Sequence, residues 1–221
     1  MPSTTSSTVF VKQTVDLIRI FDDDINCCVL QRAPSTELSW FVYKLNLSIN
    51  VQKIIDCQEP LLPQIHASLP SELLQLSASQ YFVEELYTTL EMYSLLLGPQ
   101  QMGMRLVTLN YAMCPGFHID KVGVRLVCTY RGATTEWLEN ADVDRSKLGL
   151  IAKGVSDEAS GIIQHSSAIH SMTPYDIGLL KGEAWLKQDG TSNCGNGIVH
   201  RSPQVQINDG LRLLLTLDAF G

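Results

Sequence analysis

No stretch of about 18 consecutive apolar residues occurs in the chain, so a membrane-spanning helix is not expected. The opening MPSTTSSTVFVK lacks the basic start and apolar core of a signal peptide. None of the six cysteines forms a CxxC pair, and the adjacent Cys27 and Cys28 cannot readily bond to each other. Together these absences predict reduced thiols and a cytoplasmic protein. Basic residues are also scarce. The formal net charge of -7 argues against nucleic acid as a partner, because binding to a phosphate backbone needs clustered Lys and Arg. There is no GxSxG elbow, Walker loop, dinucleotide glycine fingerprint or HExxH helix, so the common hydrolase, nucleotide and zinc-protease signatures are missing.

What is present fits an ordinary globular chain. At 221 residues, 45% hydrophobic and 18% charged, it can bury a sizeable core in one large domain. Residues 1–9 are rich in Ser and Thr and read as frayed. Val15–Phe21 predicts a short helix, Asp22–Asp24 a turn and Ile25–Gln31 an edge strand. Glu37–Ser48 fits helix or strand, and Pro60, Pro63 and Pro70 mark a loop region. Ser71 opens a helix, and Ser79–Leu97 is the clearest helix, with apolar residues near the 3.6 period and a Gly98-Pro99 stop.

After Gly103 the texture changes to short β-prone runs separated by Gly, Pro, Asn and Asp turns. Arg105–Asn110, Val122–Tyr130, Asp176–Lys187, Gly197–Arg201 and Leu211–Asp218 read as strands. The expected fold is therefore α+β: a double-stranded β-helix (jelly-roll, cupin-like) core with N-terminal helices packed against it. Residues 1–98 form a mainly helical region and residues 99–221 the core, joined in one unit.

The chemistry concentrates in Cys114–Trp137 (CPGFHIDKVGVRLVCTYRGATTEW). In a strand, His118 and Asp120 would point to the same face. His200 ends a later apolar run. Two His and one carboxylate with open positions suit non-haem Fe(II). A thiolate from Cys114 or Cys194 would instead close a tetrahedron suited to zinc. Arg125 and Arg145 read either as surface ion pairs or as cations lining a pocket. His165 and His170 read as loop residues or as part of a lid.

The order of the segments adds a resemblance. His118-x-Asp120, the small-residue turn Gly132-Ala133-Thr134-Thr135, His200 and then Arg212 resemble the Fe(II)/2-oxoglutarate dioxygenases. That resemblance implies that His118, Asp120 and His200 bind the metal and that Arg212 pairs with the distal carboxylate of 2-oxoglutarate. Arg201 competes for that role, and Thr129, Tyr130 or Trp137 would orient the ligands. The implied activity is an Fe(II)- and 2-oxoglutarate-dependent oxygenase acting on a small molecule or a protein. The alternative is a non-catalytic protein that handles or senses Zn(II) on the same barrel. The segments CPxFHxD, TYxGxxTxWL, LLKGE and HRSP are also similar, in this order, to a bacterial domain-of-unknown-function family, number 1826.

Overall fold

The computed structural model describes residues 6–204 and 210–220. The first part of the chain runs through β1 (Thr8–Val11), a 3-10 helix (Thr14–Phe21), β2 (Cys27–Leu30), α1 (Thr36–Lys44), β3 (Asn50–Asp56), α2 (Leu61–Ser68), α3 (Ser71–Leu74) and α4 (Ser79–Leu97). Then follow β4 (Gln101–Leu109), β5 (Val124–Arg131), β6 (Glu136–Leu138), α5 (Asp157–Ser160), β7 (Ile169–Ser171), β8 (Ile177–Lys181), β9 (Val199–Arg201) and β10 (Arg212–Phe220).

Seven strands form the major sheet in the order β1-β2-β8-β5-β10-β4-β3, antiparallel except for the parallel β1–β2 pair. A smaller sheet, β7-β6-β9, faces it and is extended by a bridge between His118 and His200. The architecture is the α+β jelly roll expected from the sequence, with the helices on the outer face of the major sheet.

Alternation along β10 shows how the layers divide. Leu213, Leu215 and Leu217 join Leu126, Cys128 and Leu179 in a core shared with Phe41, Phe82, Leu86 and Leu90 of the helices. Arg212, Leu214, Thr216 and Asp218 occupy the other face, toward the small sheet. Both faces of the strand are covered, so Leu213–Leu215 can run apolar without a break, while Arg212, Thr216 and Asp218 bring polar groups to the inner face. Each of these leucines contributes roughly 1.5–3 kcal/mol by leaving water.

The long helix α4 spans the predicted residues. Phe82, Leu86, Leu90 and Tyr93 line its buried stripe, and the left-handed Gly98 (φ 61) ends it by donating its N–H to the Ser94 carbonyl. Of Glu37–Ser48, the part up to Lys44 resolves as helix α1, and Leu45–Ser48 is irregular. The start of α1 is set by Ser35, whose Oγ accepts from the Leu38 N–H at 3.1 Å. Among the described residues no helix is long and apolar enough to cross a membrane.

Several expectations change. The region marked by Pro60 and Pro63 is helix α2, which Pro60 precedes as its cap; the strand read over Asp176–Lys187 stops at Lys181; and His170, read as loop or lid, lies on β7. Of the stretch read as frayed, residues 1–5 lie outside the described residues, whereas Thr8–Val11 forms an edge strand. The segment expected at the edge, β2, is therefore second in the sheet. Region 1–98 supplies three strands as well as helices, and β3 closes the opposite edge beside β4. Strand pairing of this kind is decided by partners distant in sequence, so a local pattern does not display it.

Candidate metal centre

His118, Asp120 and His200 come together from two sequence-distant segments, with potential ligand atoms all within 4.8 Å of one another. His200 sits on β9, and its N–H and carbonyl both pair with the main chain of His118 at 3.0 Å. This bridge sets the two imidazoles side by side, with ring centroids 4.5 Å apart. Asp120 does not continue a regular strand as the i, i+2 argument assumed. Beyond the bridge the chain turns, and the Asp120 carbonyl accepts from the Glu183 N–H at 2.8 Å.

Gly182 makes that turn possible. A Cβ at Gly182 would meet the Val122 carbonyl oxygen at 2.2 Å and the Asp120 carbonyl oxygen at 2.6 Å, both rigid backbone. The glycine of Leu179-Leu180-Lys181-Gly182-Glu183 thus lets the Asp120 loop lie against the end of β8.

The hydrogen bonds select the imidazole tautomers. Nδ1 of His118 lies 2.9 Å from the Gly116 carbonyl, and Nδ1 of His200 lies 3.2 Å from the Ile198 carbonyl. A carbonyl only accepts, so each Nδ1 carries the proton and each Nε2 presents a lone pair. Those Nε2 atoms face the same carboxylate, at 3.7 Å from His118 to Oδ1 and 3.3 Å from His200 to Oδ2 of Asp120. Burial, then the charge of His200, push the His118 imidazole below its ordinary pKa and favour its neutral form. Burial acts on Asp120 in the opposite sense, but His200, Arg125 and His118 outweigh it and hold the carboxyl at about 2. Protonated rings would pair with the carboxylate; with both rings neutral, three electron-pair donors converge on one point, and a shared cation would relieve their mutual repulsion.

Arg125 fixes the carboxylate from behind. Its Nη1 donates to Asp120 Oδ1 at 2.9 Å, while Nε and Nη2 grip Asp218 of β10 at 2.8 and 2.9 Å. Nη1 also lies 2.8 Å from Asp120 Oδ2, yet that buried oxygen makes no well-oriented hydrogen bond and stays available to a metal.

The two candidate anchor arginines have opposite surroundings. Arg201 is buried, but its guanidinium is already met by Glu136 at 2.7 Å, Asp157 at 2.9 Å and Glu158 at 3.1 Å. Arg212 lines the same pocket as His118 and His200, and among the described residues its partners are hydroxyls. Its Nη2 donates to Thr135 at 3.1 Å and Thr129 at 3.3 Å, and Ser202 stands 3.5 Å from Nη1. Arg212 Nε has no partner among the described residues. Burial lowers its pKa to about 10, so the side chain keeps its charge at neutral pH. A buried guanidinium without a carboxylate calls for an anion.

Of the other residues singled out in the sequence, Trp137 sits directly across from His200 in the small sheet, and most of the rest fall elsewhere. Thr129 touches Arg212 and neither histidine. Tyr130 packs against Phe82 and Tyr175 on the helix side, and Trp137 stacks on His170 between the sheets. His165 pairs with Asp142 at 3.4 Å, and Arg145 donates to the Gly197 carbonyl at 2.9 Å. Cys114 is exposed at the pocket rim, and Cys194 is exposed as well. Among the described residues neither joins the three-ligand group. The hydroxyls of Thr135 and Ser202 carry no signal of their role in the sequence pattern, although Ser202 follows His200 within the HRSP segment.

The fold is shared with solved oxygenases. The structure is similar to a dioxygenase for auxin oxidation from Arabidopsis thaliana solved with 2-oxoglutarate, with a TM-score of 0.52 at 9% identity over 97% of this chain and 92% of that one. It also aligns with the dioxygenase for auxin oxidation in rice at a TM-score of 0.48 and 13% identity, over 94% of this chain and 77% of that one. The likeness to the Arabidopsis enzyme takes in the N-terminal helices and strands, beyond the later half on which the sequence resemblance rested. No curated relative matches the sequence. The model of the DUF1826 family, described as a protein of unknown function, matches residues 11–218, and the chain belongs to that family.

Proposed function

We propose that the protein is an Fe(II)- and 2-oxoglutarate-dependent oxygenase, with His118, Asp120 and His200 as metal ligands and Arg212 as the anchor of the keto acid. The observation that carries this reading is Arg212. A buried cation whose partners among the described residues are all hydroxyls lines the same pocket as His118 and His200, two of the three candidate ligands. A structural arginine at that depth would be expected to carry a carboxylate, as Arg201 does.

A ferrous ion held by His118, Asp120 and His200, together with the keto acid at Arg212, would supply the redox chemistry of an oxygenase. The chain's own residues supply the setting. His118 and His200 present neutral Nε2 atoms because backbone carbonyls hold the Nδ1 protons. Asp120 contributes the anionic ligand, oriented by Arg125. Thr129, Thr135 and Ser202 aim the Arg212 fork toward a carboxylate, which it can grip with two parallel hydrogen bonds. Three protein ligands leave positions open for the keto acid and dioxygen. The substrate is a small molecule or a protein. A reducing cytoplasmic setting suits the six free cysteines and a ferrous ion.

Anaerobic reconstitution with Fe(II), followed by titration with 2-oxoglutarate, tests the reading. A saturable visible charge-transfer band is expected. His118→Ala should lose both metal and band. Arg212→Ala should keep the metal and weaken keto-acid affinity by about 10- to 100-fold, the range for a lost charge-assisted pair. No band, with zinc retained and removed by mutating Cys114 or Cys194, overturns the assignment in favour of a zinc-handling protein.

A further inference from the structure

A second cavity of about 390 Å³ adjoins the metal pocket, and the two share Met113, Arg125 and Thr216 as common walls. Its size lies within the range of small-molecule sites. Its floor is the inner face of the major sheet. There Arg105 of β4 sits directly across from Thr216 of β10, which in turn sits across from Val127 of β5. Two strand spacings, about 10 Å, therefore separate Arg105 from the β5 side of the metal pocket.

Arg105 is half-buried, forms no ion pair among the described residues, and its Nε is buried without a hydrogen-bond partner. The other cations nearby are less well placed to take an anion there. Arg125 is held by Asp120 and Asp218. Lys53 also borders the cavity, but it pairs in register with Met104, whose side chain belongs to the helix-side core, so alternation turns its ammonium toward solvent at the rim while Arg105 stands on the floor. The remaining walls are largely apolar. Ile54 and Phe220 are exposed, and Met113 stands between the two pockets. The Phe220 ring lies down over Gly103, where an added Cβ would come within 2.9 Å of it.

We propose that this cavity is the substrate seat and that it takes a small organic acid. Arg105 binds the carboxylate, and an apolar body against Ile54, Met113 and Phe220 reaches toward the metal pocket. The oxygenase reading is needed only for what happens to the ligand after it binds. A site that pairs a single charge-assisted contact with an apolar wall should discriminate against a neutral analogue of equal shape, because the guanidinium would be left unpaired.

The test is calorimetric titration of the protein loaded anaerobically with Fe(II) and 2-oxoglutarate. The probes are phenylacetate and hexanoate, with phenylacetamide as the uncharged isostere. Phenylacetate is expected to bind at least about tenfold tighter than the amide, and Arg105→Gln should abolish that preference while leaving the keto-acid band unchanged. Phe220→Ala should weaken the acid and the amide alike. Equal binding of acid and amide, no binding of either acid, or a preference that survives in Arg105→Gln overturns the assignment even if the band is intact. Conversely, Arg105-dependent binding of phenylacetate to a protein that shows no band removes the oxygenase reading and leaves this site standing.

Discussion

The two faces of the seven-stranded sheet solve different problems with the same strands. On the helix side, β10 contributes Leu213, Leu215 and Leu217 to a continuous cluster of apolar side chains. On the inner side the same strand presents Arg212, Thr216 and Asp218, and the adjacent strands add Arg125 and Arg105. The first face gains stability by removing carbon from water. The second keeps charged groups in a partly dry space, where an imperfectly paired ion costs several kcal/mol. Folding alone gives no reason for that arrangement, and ligand binding does. The division also predicts that the helix face tolerates loss of volume poorly, and that the inner face loses ligands before it loses the fold.

Substitutions on opposite faces of β10 break this comparison most directly. Leu215→Ala should cost roughly 2–5 kcal/mol of stability, measured by denaturant unfolding, with metal and keto-acid affinity intact in the folded fraction. Arg212→Met should do the opposite. Removing a buried guanidinium that has no carboxylate partner among the described residues should leave stability unchanged or raise it by up to about 4 kcal/mol, while keto-acid binding is lost. A large destabilisation by Arg212→Met would make the residue structural and remove the contrast between the faces.

Two smaller effects sharpen the picture around Asp120. Gly182→Ala touches no ligand but displaces the backbone that carries one, so metal affinity should fall by about 10- to 100-fold with the secondary structure preserved. Metal content after dialysis against a chelator would show it, and full retention would mean that the loop relaxes without moving the carboxylate. Arg125→Gln should have the mildest consequence, a loss of about tenfold in metal affinity, because Asp120 keeps its position and loses only its charged support. An unaltered affinity there would make the Asp120–Arg125–Asp218 chain a stability element alone.

Much of the site is legible in the sequence. The spacing of His118 and Asp120, the later His200 and the more distant Arg212 identify the groups that the fold brings into one pocket. The geometry that the spacing suggests is only half correct. His118 bridges to His200, but Asp120 leaves the strand, because the chain must turn to pack on Gly182. Nothing in the neighbourhood of Lys181 announces that its glycine supports a residue 62 positions earlier. Thr135 and Ser202 are silent for a related reason, since a hydroxyl acquires its role from the cation that lands beside it.

The sequence by itself determined the elements whose signals are local. Helix α4 follows from its apolar period and its Gly-Pro stop, and the later strands follow from β-prone runs between turns. It also determined which side chains could serve as ligands. Only the tertiary structure decided that β1 and β3 complete the sheet at its two edges, since strands are completed by partners remote along the chain. It likewise decided between two buried arginines. Among the described residues Arg201 meets three carboxylates and Arg212 meets none, and the electrostatics of a buried charge depend on what lies across the barrel from it.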